Sequence, residues 1–275
     1  MVDRPETDLL DLTSADAYGR SFADVYDRWY HDVSDASATA AFVAARCDGP
    51  VLELGVGSGR LAGPMADRGL TVVGLDGSRA MLEQGRGDLP DNVHLVLADM
   101  RRLPFAPRRN PLRAPEPDQT TRPAPPTAFA GFGAVLIAFN TVFNLSSEQQ
   151  QQELFDALPP LLVPGGVVII EALDASSLTA GPTSTIGVRT RTDEQLVVTA
   201  TTIDRRDQTI TGQHLEIAGT GVTVRPWRLR WLSSDQLDGL AAAAGLTLVE
   251  RYRNWDGEPF GPEADTHISV YRAAP

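Results

Sequence analysis

The sequence predicts an α/β protein built on a doubly wound, mostly parallel sheet with a terminal antiparallel hairpin and an inserted antiparallel β-sheet lid. Two observations carry that expectation. From residue 51 onward, short apolar runs of strand length alternate with helical segments across brief connections, the pattern of parallel strands joined by crossover helices. Between about 187 and 232 the chain then changes to alternating Thr, Val, Ile and Trp, before a last helix and two more strand-like runs.

In chain order, residues 13 to 47 carry helical spacing, with Tyr18, Phe22, Val25, Tyr26, Trp29, Phe42 and Val43 marking apolar faces. Two helices broken near His31 to Ser37 are expected. VLEL (51 to 54) reads as a strand, LAGPMADRG as a helix ending at Gly69, and TVVGLD (71 to 76) as the second strand. SRAMLEQGRG follows as a helix and VHLVLAD (93 to 99) as the third strand. From Leu103 to Phe129 the pattern stops, and eight of the 20 prolines crowd in, so an exposed and disordered loop is expected there. AVLIAFN (134 to 140) restores the sheet. SSEQQQQELFDALPPLL is a helix with Ser146 as N-cap, and GGVVIIEAL is a fifth strand entered through Gly165 and Gly166. Asp204 to Asp207 and Gly219 to Gly221 punctuate the inserted meander. The helix SSDQLDGLAAAAG, the strand LTLVERY, a long loop and the strand THISVYR complete the chain. The division expected is a helical cap (1–48), an α/β domain (49–186 and 233–275, with the Pro-rich loop at 103–130) and the inserted sheet (187–232).

Composition narrows the function. At 275 residues, with 42% apolar and 22% charged content, the chain has the make-up of a soluble globular protein. No apolar stretch approaches the roughly 20 residues that span a bilayer. The start, MVDRPETDLLDL, is acidic and polar rather than a secretion signal, so a cytoplasmic enzyme is expected. Cys47 stands alone, which excludes an internal disulfide and a multi-cysteine metal site. All 24 basic residues are Arg, which excludes a phosphate-binding P-loop and a pyridoxal Schiff base, since both need lysine. A net charge of -12 argues against nucleic-acid and anionic-membrane partners. A small substrate is the expected partner.

Residues 51 to 61, VLELGVGSGRL, raise the central question: why three glycines where a strand ends? Gly55, Gly57 and Gly59 fit a strand-to-helix turn whose backbone must bend tightly and approach a ligand closely. A dinucleotide fingerprint would place its third glycine at 60, where this chain has Arg60. Asp76 ends the second strand, where a carboxylate can accept both hydroxyls of a ribose. Asp99 ends the third, placed for the amino group of a purine. All three features lie at the carboxyl ends of strands and so face one crevice, which describes a nucleoside site.

With LELGVGSGR, GLDGSRAML, LADM and LLVPGGVVIIE in that order, the chain resembles the class I S-adenosylmethionine-dependent methyltransferases, over roughly residues 38 to 180 plus the terminal hairpin. The resemblance implies a Rossmann-like fold and S-adenosylmethionine as cofactor. It implies that Gly55 and Gly57 pass beneath the methionyl part, Asp76 and the neighbouring Gly77 meet the ribose, Met81 and Met100 flank adenine, and Asp99 meets its amino group. The Ala138 carbonyl would take the cofactor amine, and Glu53 would order the glycine loop. Arg60 would pair with the cofactor carboxylate or stand as a solvated helix residue. The inserted sheet and an N-terminal YDRWY segment also resemble the amino-sugar N,N-dimethyltransferases, in which a histidine tends to occupy the place that Asn144 holds here.

Methyl transfer is an in-line displacement, so the protein chiefly has to hold the nucleophile within about 3 to 3.5 Å of the carbon attacked. Asn140 and Asn144, after the fourth strand, would face the methyl or serve as turn and capping residues; neither can abstract a proton. Glu171, ending the fifth strand, and His267, opening the last, are the catalytic candidates beside Asn144, each with a purely structural alternative. His214 in the meander and Trp255 in the late loop are candidate substrate contacts. Tyr26 and Tyr30, four apart on one helix face, either cover cofactor and substrate or pack together. Trp227 and Trp231 line a pocket or pack in a core or dimer surface. His31 falls near the expected break, and His94 begins a strand far from the crevice.

The expected function is transfer of a methyl group to an N or O atom of a small molecule in secondary metabolism, with no metal and with a homodimer as one use of the inserted sheet. The rivals are a cofactor-binding module without catalysis and an NAD-dependent oxidoreductase.

Overall fold

The computed structural model describes residues 11–30, 34–105 and 131–273. His31 and all but the first residues of the Pro-rich loop lie outside the described residues.

Three short helices come first: α1 (Ala17–Phe22), α2 (Tyr26–Tyr30) and α3 (Ala36–Ala44). The sequence led us to expect two. α1 stops because the chain tightens at Ala23–Val25, where the Val25 N–H donates to Phe22 O, and Asp24 turns outward to meet Arg225 from a distant strand. α3 starts at Asp35, whose carboxylate accepts from the Ser37 and Ala38 N–H groups as an N-cap.

The main sheet takes β1 (Val51–Leu54), β2 (Val72–Asp76), β3 (Val93–Leu97), β4 (Phe132–Ile137), β5 (Leu162–Leu173), β10 (Leu246–Tyr252) and β11 (Thr266–Ala273) in the order β10-β11-β5-β4-β1-β2-β3. β1 to β5 run parallel, while β11 lies antiparallel between β5 and β10. Every residue of β1 and β4 is buried, as expected of central parallel strands covered on both faces. Val135 and Ile137 point to one face, against α6 (Glu148–Ala157) and α8 (Ser234–Ala243). Ala134 and Leu136 point to the other, against α3 and α4 (Ala62–Asp67). α5 (Arg79–Gly85) is capped by Ser78 and α8 by a reciprocal Ser233–Gln236 box. A single turn, α7 (Ser176–Thr179), leads out of β5.

Several boundaries differ from expectation. β5 begins at Leu162, so the expected Gly165–Gly166 turn lies inside the strand; α6 ends at Ala157, before a 3-10 turn at Pro159–Leu161; and β3 ends at Leu97, short of Asp99. The fourth strand ends at Ile137 rather than at residue 140, because Phe139 and Asn140 adopt left-handed conformations, φ 48 and 63. The N-cap of α6 is Ser147, extended and accepting from the Gln150 N–H; Ser146 instead donates to the Gln150 side chain.

The inserted sheet has four antiparallel strands in sequential order: β6 (Ser184–Arg191), β7 (Gln195–Asp204), β8 (Thr209–Ala218) and β9 (Gly221–Arg230). Three were expected; β6 is exposed over nearly its whole length and carries little hydrophobic signal. One face, with Val197, Thr199, His214, Arg225 and Trp227, turns toward the body. Arg225 is buried and donates to Asp24, Glu216 and the Ser21 carbonyl, tying this sheet to α1 and α2. Arg28 adds a second tie to Glu216. Among the described residues no helix is long and apolar enough to cross a membrane.

Candidate active site

At the carboxyl end of β1 the chain passes through Gly55, Gly57 and Gly59 with φ of 74, 59 and 88, a region that L side chains resist. The turn is also tight against its neighbours. A Cβ on Gly55 would lie 2.5 Å from Thr141 Cγ2, and one on Gly57 would lie 3.0 Å from Met81 Cε. The Gly55 and Val56 N–H groups donate to Leu75 O, and the Gly57 N–H donates to Asp76 Oδ2 at 2.9 Å. Asp76 Oδ1 accepts from the Ser78 N–H at 2.8 Å, so one carboxylate joins the glycine turn to the start of α5. Burial pushes the Asp76 carboxyl up, against the pull of those two backbone donors.

These features border a cavity of about 400 Å3. Gly55, Gly57, Asp76, Gly77, Met81, Asp99 and Met100 line one end. Asp99 is held by Arg101, whose backbone N–H and guanidinium both donate to it. Burial pushes Asp99 up, but the hydrogen bonds from Arg101 outweigh it and leave the carboxyl below its usual range. The lining on this side includes Thr13 to Ala15 as well as Arg101, which sequence reasoning passed over.

The other end is assembled from distant parts of the chain. Tyr18, Tyr26 and Tyr30 of the N-terminal helices meet Phe139, Asn140, Thr141 and Asn144 from the segment after β4, and Arg189, Thr199, His214, Trp227 and Arg228 from the inserted sheet. Tyr26 and Tyr30 rings lie 4.9 Å apart, and Tyr30 meets Phe139 edge-on at 5.7 Å. Arg189 stacks on Tyr30 at 4.5 Å. His214 faces Thr199 Oγ1 through Nδ1 at 2.7 Å and is ringed by Phe22, Trp29 and Trp227. Burial, with Arg189 and Arg225 adding to it, lowers His214 to about 4, so its imidazole is neutral near pH 7.

Six of the candidate site residues singled out in the sequence do not line the cavity. His267 is buried on β11, bonded to Ser269, and burial lowers it to about 4; it is a structural histidine, not a base facing substrate. Glu171 is buried with both oxygens engaged, one by the Phe139 N–H and one by Trp255 Nε1. Trp255 is committed to that bond and to Phe42 rather than to a substrate pocket. Arg60 donates to Ser34 instead of projecting toward a ligand. Ala138 is buried, and its carbonyl accepts from the Thr141 N–H. Glu53 is buried beneath the glycine turn with no hydrogen-bond partner for Oε2 among the described residues. Asn140 does line the cavity, although its Oδ1 already accepts from the Leu173 N–H.

Burial pushes Glu53 up to about 8, with Arg60 opposing and Asp76 adding to it. Between an ordinary glutamate value of 4.5 and about 8 the folded protein therefore keeps a proton that the unfolded chain has released. Folding stability should fall as pH rises through that window. Glu53→Gln removes the titration, so its melting temperature relative to wild type should climb from pH 5 to pH 8 by the equivalent of a few kcal/mol, since each tenfold difference in proton affinity between the two states is worth about 1.4 kcal/mol. Parallel melting curves at the two pH values check this.

The cavity suits S-adenosylmethionine. The glycine turn leaves no room for a Cβ, and a carboxylate stands at the end of β2. Residues 51–110 match the family model described as a methyltransferase domain. A cypemycin N-terminal methyltransferase from Streptomyces sp is 26% identical over 215 residues, covering 76% of this chain and 77% of the relative. Among solved structures, the CcbJ methyltransferase from Streptomyces caelestis superposes with a TM-score of 0.80 at 32% identity, across 96% of this chain and 99% of that one. An amino pentose methyltransferase from Micromonospora echinaspora, solved with S-adenosylmethionine bound, shares the fold at a TM-score of 0.65 and 21% identity, over 90% and 97% of the two chains. A glycine turn with its two strand-end carboxylates, carried on a chain that matches a methyltransferase at 32% identity from end to end, leads to one assignment: this chain belongs to the S-adenosylmethionine-dependent methyltransferases.

Proposed function

We propose that the chain methylates an uncharged amine nitrogen of a small molecule of secondary metabolism. The observation that carries this reading is the chemistry of the acceptor end. Tyr18, Asn144, Thr199 and His214 offer neutral hydrogen-bonding groups, Arg189 and Arg228 add positive charge, and the only carboxylates among the described lining residues, Asp76 and Asp99, stand at the cofactor end. An alkyl hydroxyl would need a base to take its proton, and a histidine lowered to about 4 is a poor one. An amine that arrives uncharged needs none, and the two guanidiniums disfavour its protonated form. The cypemycin relative is named for an amino group as its acceptor, which agrees.

In this reading Gly55, Gly57 and Gly77 give the cofactor backbone room, Asp76 accepts from its ribose, Met81 and Met100 flank its adenine, and Asp99 accepts from the adenine amino group. Tyr30 covers the methionyl end, with Glu53 beneath. Tyr26, Asn140, Asn144 and His214 contact the acceptor. When bound, S-adenosylmethionine supplies an electrophilic methyl on a sulfonium; these residues orient the acceptor toward it and exclude water. The inserted sheet is the acceptor lid and the N-terminal helices are the cap. The enzyme works in the cytoplasm, where the methyl donor is made. The exposed Val188 and Val224, joined through Val198 and Leu215 on one face of the lid, would pack on a second copy in a homodimer, to be tested by the mass in solution.

Turnover of radiolabelled S-adenosylmethionine with panels of primary and secondary amines, phenols and aliphatic alcohols tests the assignment. Amines should be methylated, with a rate that rises with pH and levels off at the amine's own pKa. Methylation confined to hydroxyl acceptors, or a rate limb that disappears in His214→Phe, would overturn it.

A further inference from the structure

Phe139 and Asn140 are consecutive non-glycine residues at φ 48 and 63, a conformation that costs each of them roughly 1–2 kcal/mol relative to the ordinary helical region, somewhat less for asparagine. Such a turn persists only where its surroundings over-determine it. Here Glu171 supplies two of the restraints: its carbonyl accepts from the Asn140 N–H at 3.1 Å, and its Oε2 accepts from the Phe139 N–H at 2.8 Å. Its other oxygen accepts from Trp255 Nε1 at 3.0 Å, which fixes the rotamer of the carboxylate from the far side. The Leu173 N–H completes the frame by donating to Asn140 Oδ1 at 2.7 Å.

The turn sets the position of much of the cavity wall. Phe139 lies against Tyr30, Thr141 fills the space above Gly55, and Asn144 follows one helical turn later. Released from its clamp, Phe139 would relax to negative φ and turn its ring away from Tyr30, shifting Thr141 against the glycine turn. We propose that Glu171, locked by Trp255, is a positioning residue that holds the strained Phe139–Asn140 turn and so builds the wall shared by cofactor and acceptor. The proposal rests on the reading of this cavity as the methyltransfer site, yet its test does not require the acceptor to be known.

The chemistry of the clamp gives an unusual substitution pattern. Both of its side-chain partners are N–H donors, so the residue at 171 must accept twice. A glutamine accepts once, and its amide N–H2 then opposes the second donor. In a Trp255→Phe background that donor is gone, and the glutamine oxygen is free for the Phe139 N–H. Glu171→Gln should therefore weaken S-adenosylhomocysteine binding about tenfold, a factor worth ~1.4 kcal/mol, and should lose hydrogen-exchange protection at the Phe139 amide. Trp255→Phe should weaken binding less, and Glu171→Gln with Trp255→Phe should recover most of both. Calorimetry with S-adenosylhomocysteine and exchange mass spectrometry on the three full-length variants read the two effects. A double variant as impaired as Glu171→Gln alone, or Glu171→Gln binding with wild-type affinity and an intact Phe139 amide, would overturn the clamp. Failure of the amine panel above would leave these readouts unchanged, so the two ideas fail separately.

Discussion

Asp76→Ala should cost the chain at least a hundredfold in S-adenosylmethionine affinity while leaving it folded. The carboxylate does three things at one place in the proposed site. It accepts from the Gly57 N–H and the Ser78 N–H, which sets the spacing between the glycine turn and α5, and it stands at the end of β2 where a ribose would donate to it. Hydrogen bonds to a charged group contribute about 1.5–3 kcal/mol each, so losing the ribose contacts and loosening the turn amounts to two decades or more in affinity. The fold should tolerate the change, because burial already disfavours the ionised side chain and alanine removes that cost. Asp76→Asn should fare little better, since its amide can accept at only one of two N–H donors. Calorimetric titration with S-adenosylmethionine beside a melting curve separates the outcomes. Affinity within threefold of wild type would mean that the carboxylate only braces the turn.

The second large effect is on stability. Gly55→Ala forces an L side chain to φ 74 and drives its Cβ to 2.5 Å from Thr141 Cγ2, the methyl of a short β-branched side chain that has few rotamers to move to. Strain of about 1–2 kcal/mol and overpacking of about 1–3 kcal/mol add to roughly 2–5 kcal/mol. For a chain of this size that is a fall of about 5–15 °C in melting temperature. Gly69→Ala is the control: its φ is +86, but an added Cβ meets nothing within 4 Å, so only the strain remains. Thr141→Ser removes the offending methyl and should recover part of the loss in Gly55→Ala. Equal losses in Gly55→Ala and Gly69→Ala would show that the crowding at Thr141 is unimportant.

The sheet was legible because buried parallel strands are short apolar runs closed by glycine, proline or aspartate, and such runs need no partner to be recognised. VLEL, TVVGLD and GGVVIIEAL all fall in this class. The break between α1 and α2 was not legible, since it depends on an ion pair between residues 201 apart in the chain. β6 buries too little to leave a pattern. AVLIAFN looks apolar almost to its end, yet its last three residues lie beyond the strand, and the Phe139 and Asn140 N–H groups donate to Glu171 instead.

The same division runs through the site. Residues at the ends of β1, β2 and β3 reach the cavity by topology alone, so Gly55, Asp76 and Asp99 could be placed from spacing. The other end of the cavity requires the inserted sheet to dock, which no local pattern encodes; Thr199, Arg189 and Arg228 were therefore missed. Glu171 and His267 were overestimated for one reason: a strand end near the crevice does not fix where a side chain points. Glu171 turns sideways to Trp255, and His267 shares a face with Ser269 and Tyr271 under α8.

Arg225 binds the inserted sheet to Asp24, Glu216 and the Ser21 carbonyl, and Asp27 accepts from Ser58 Oγ at 2.5 Å on the far side of the same helices. A single strap thus runs from the inserted sheet to the glycine turn. On the proposed reading, one set of contacts braces both ends of the cavity, so salt that screens the exposed Asp24 and Asp27 carboxylates should loosen them together; S-adenosylhomocysteine binding at low and high ionic strength checks this.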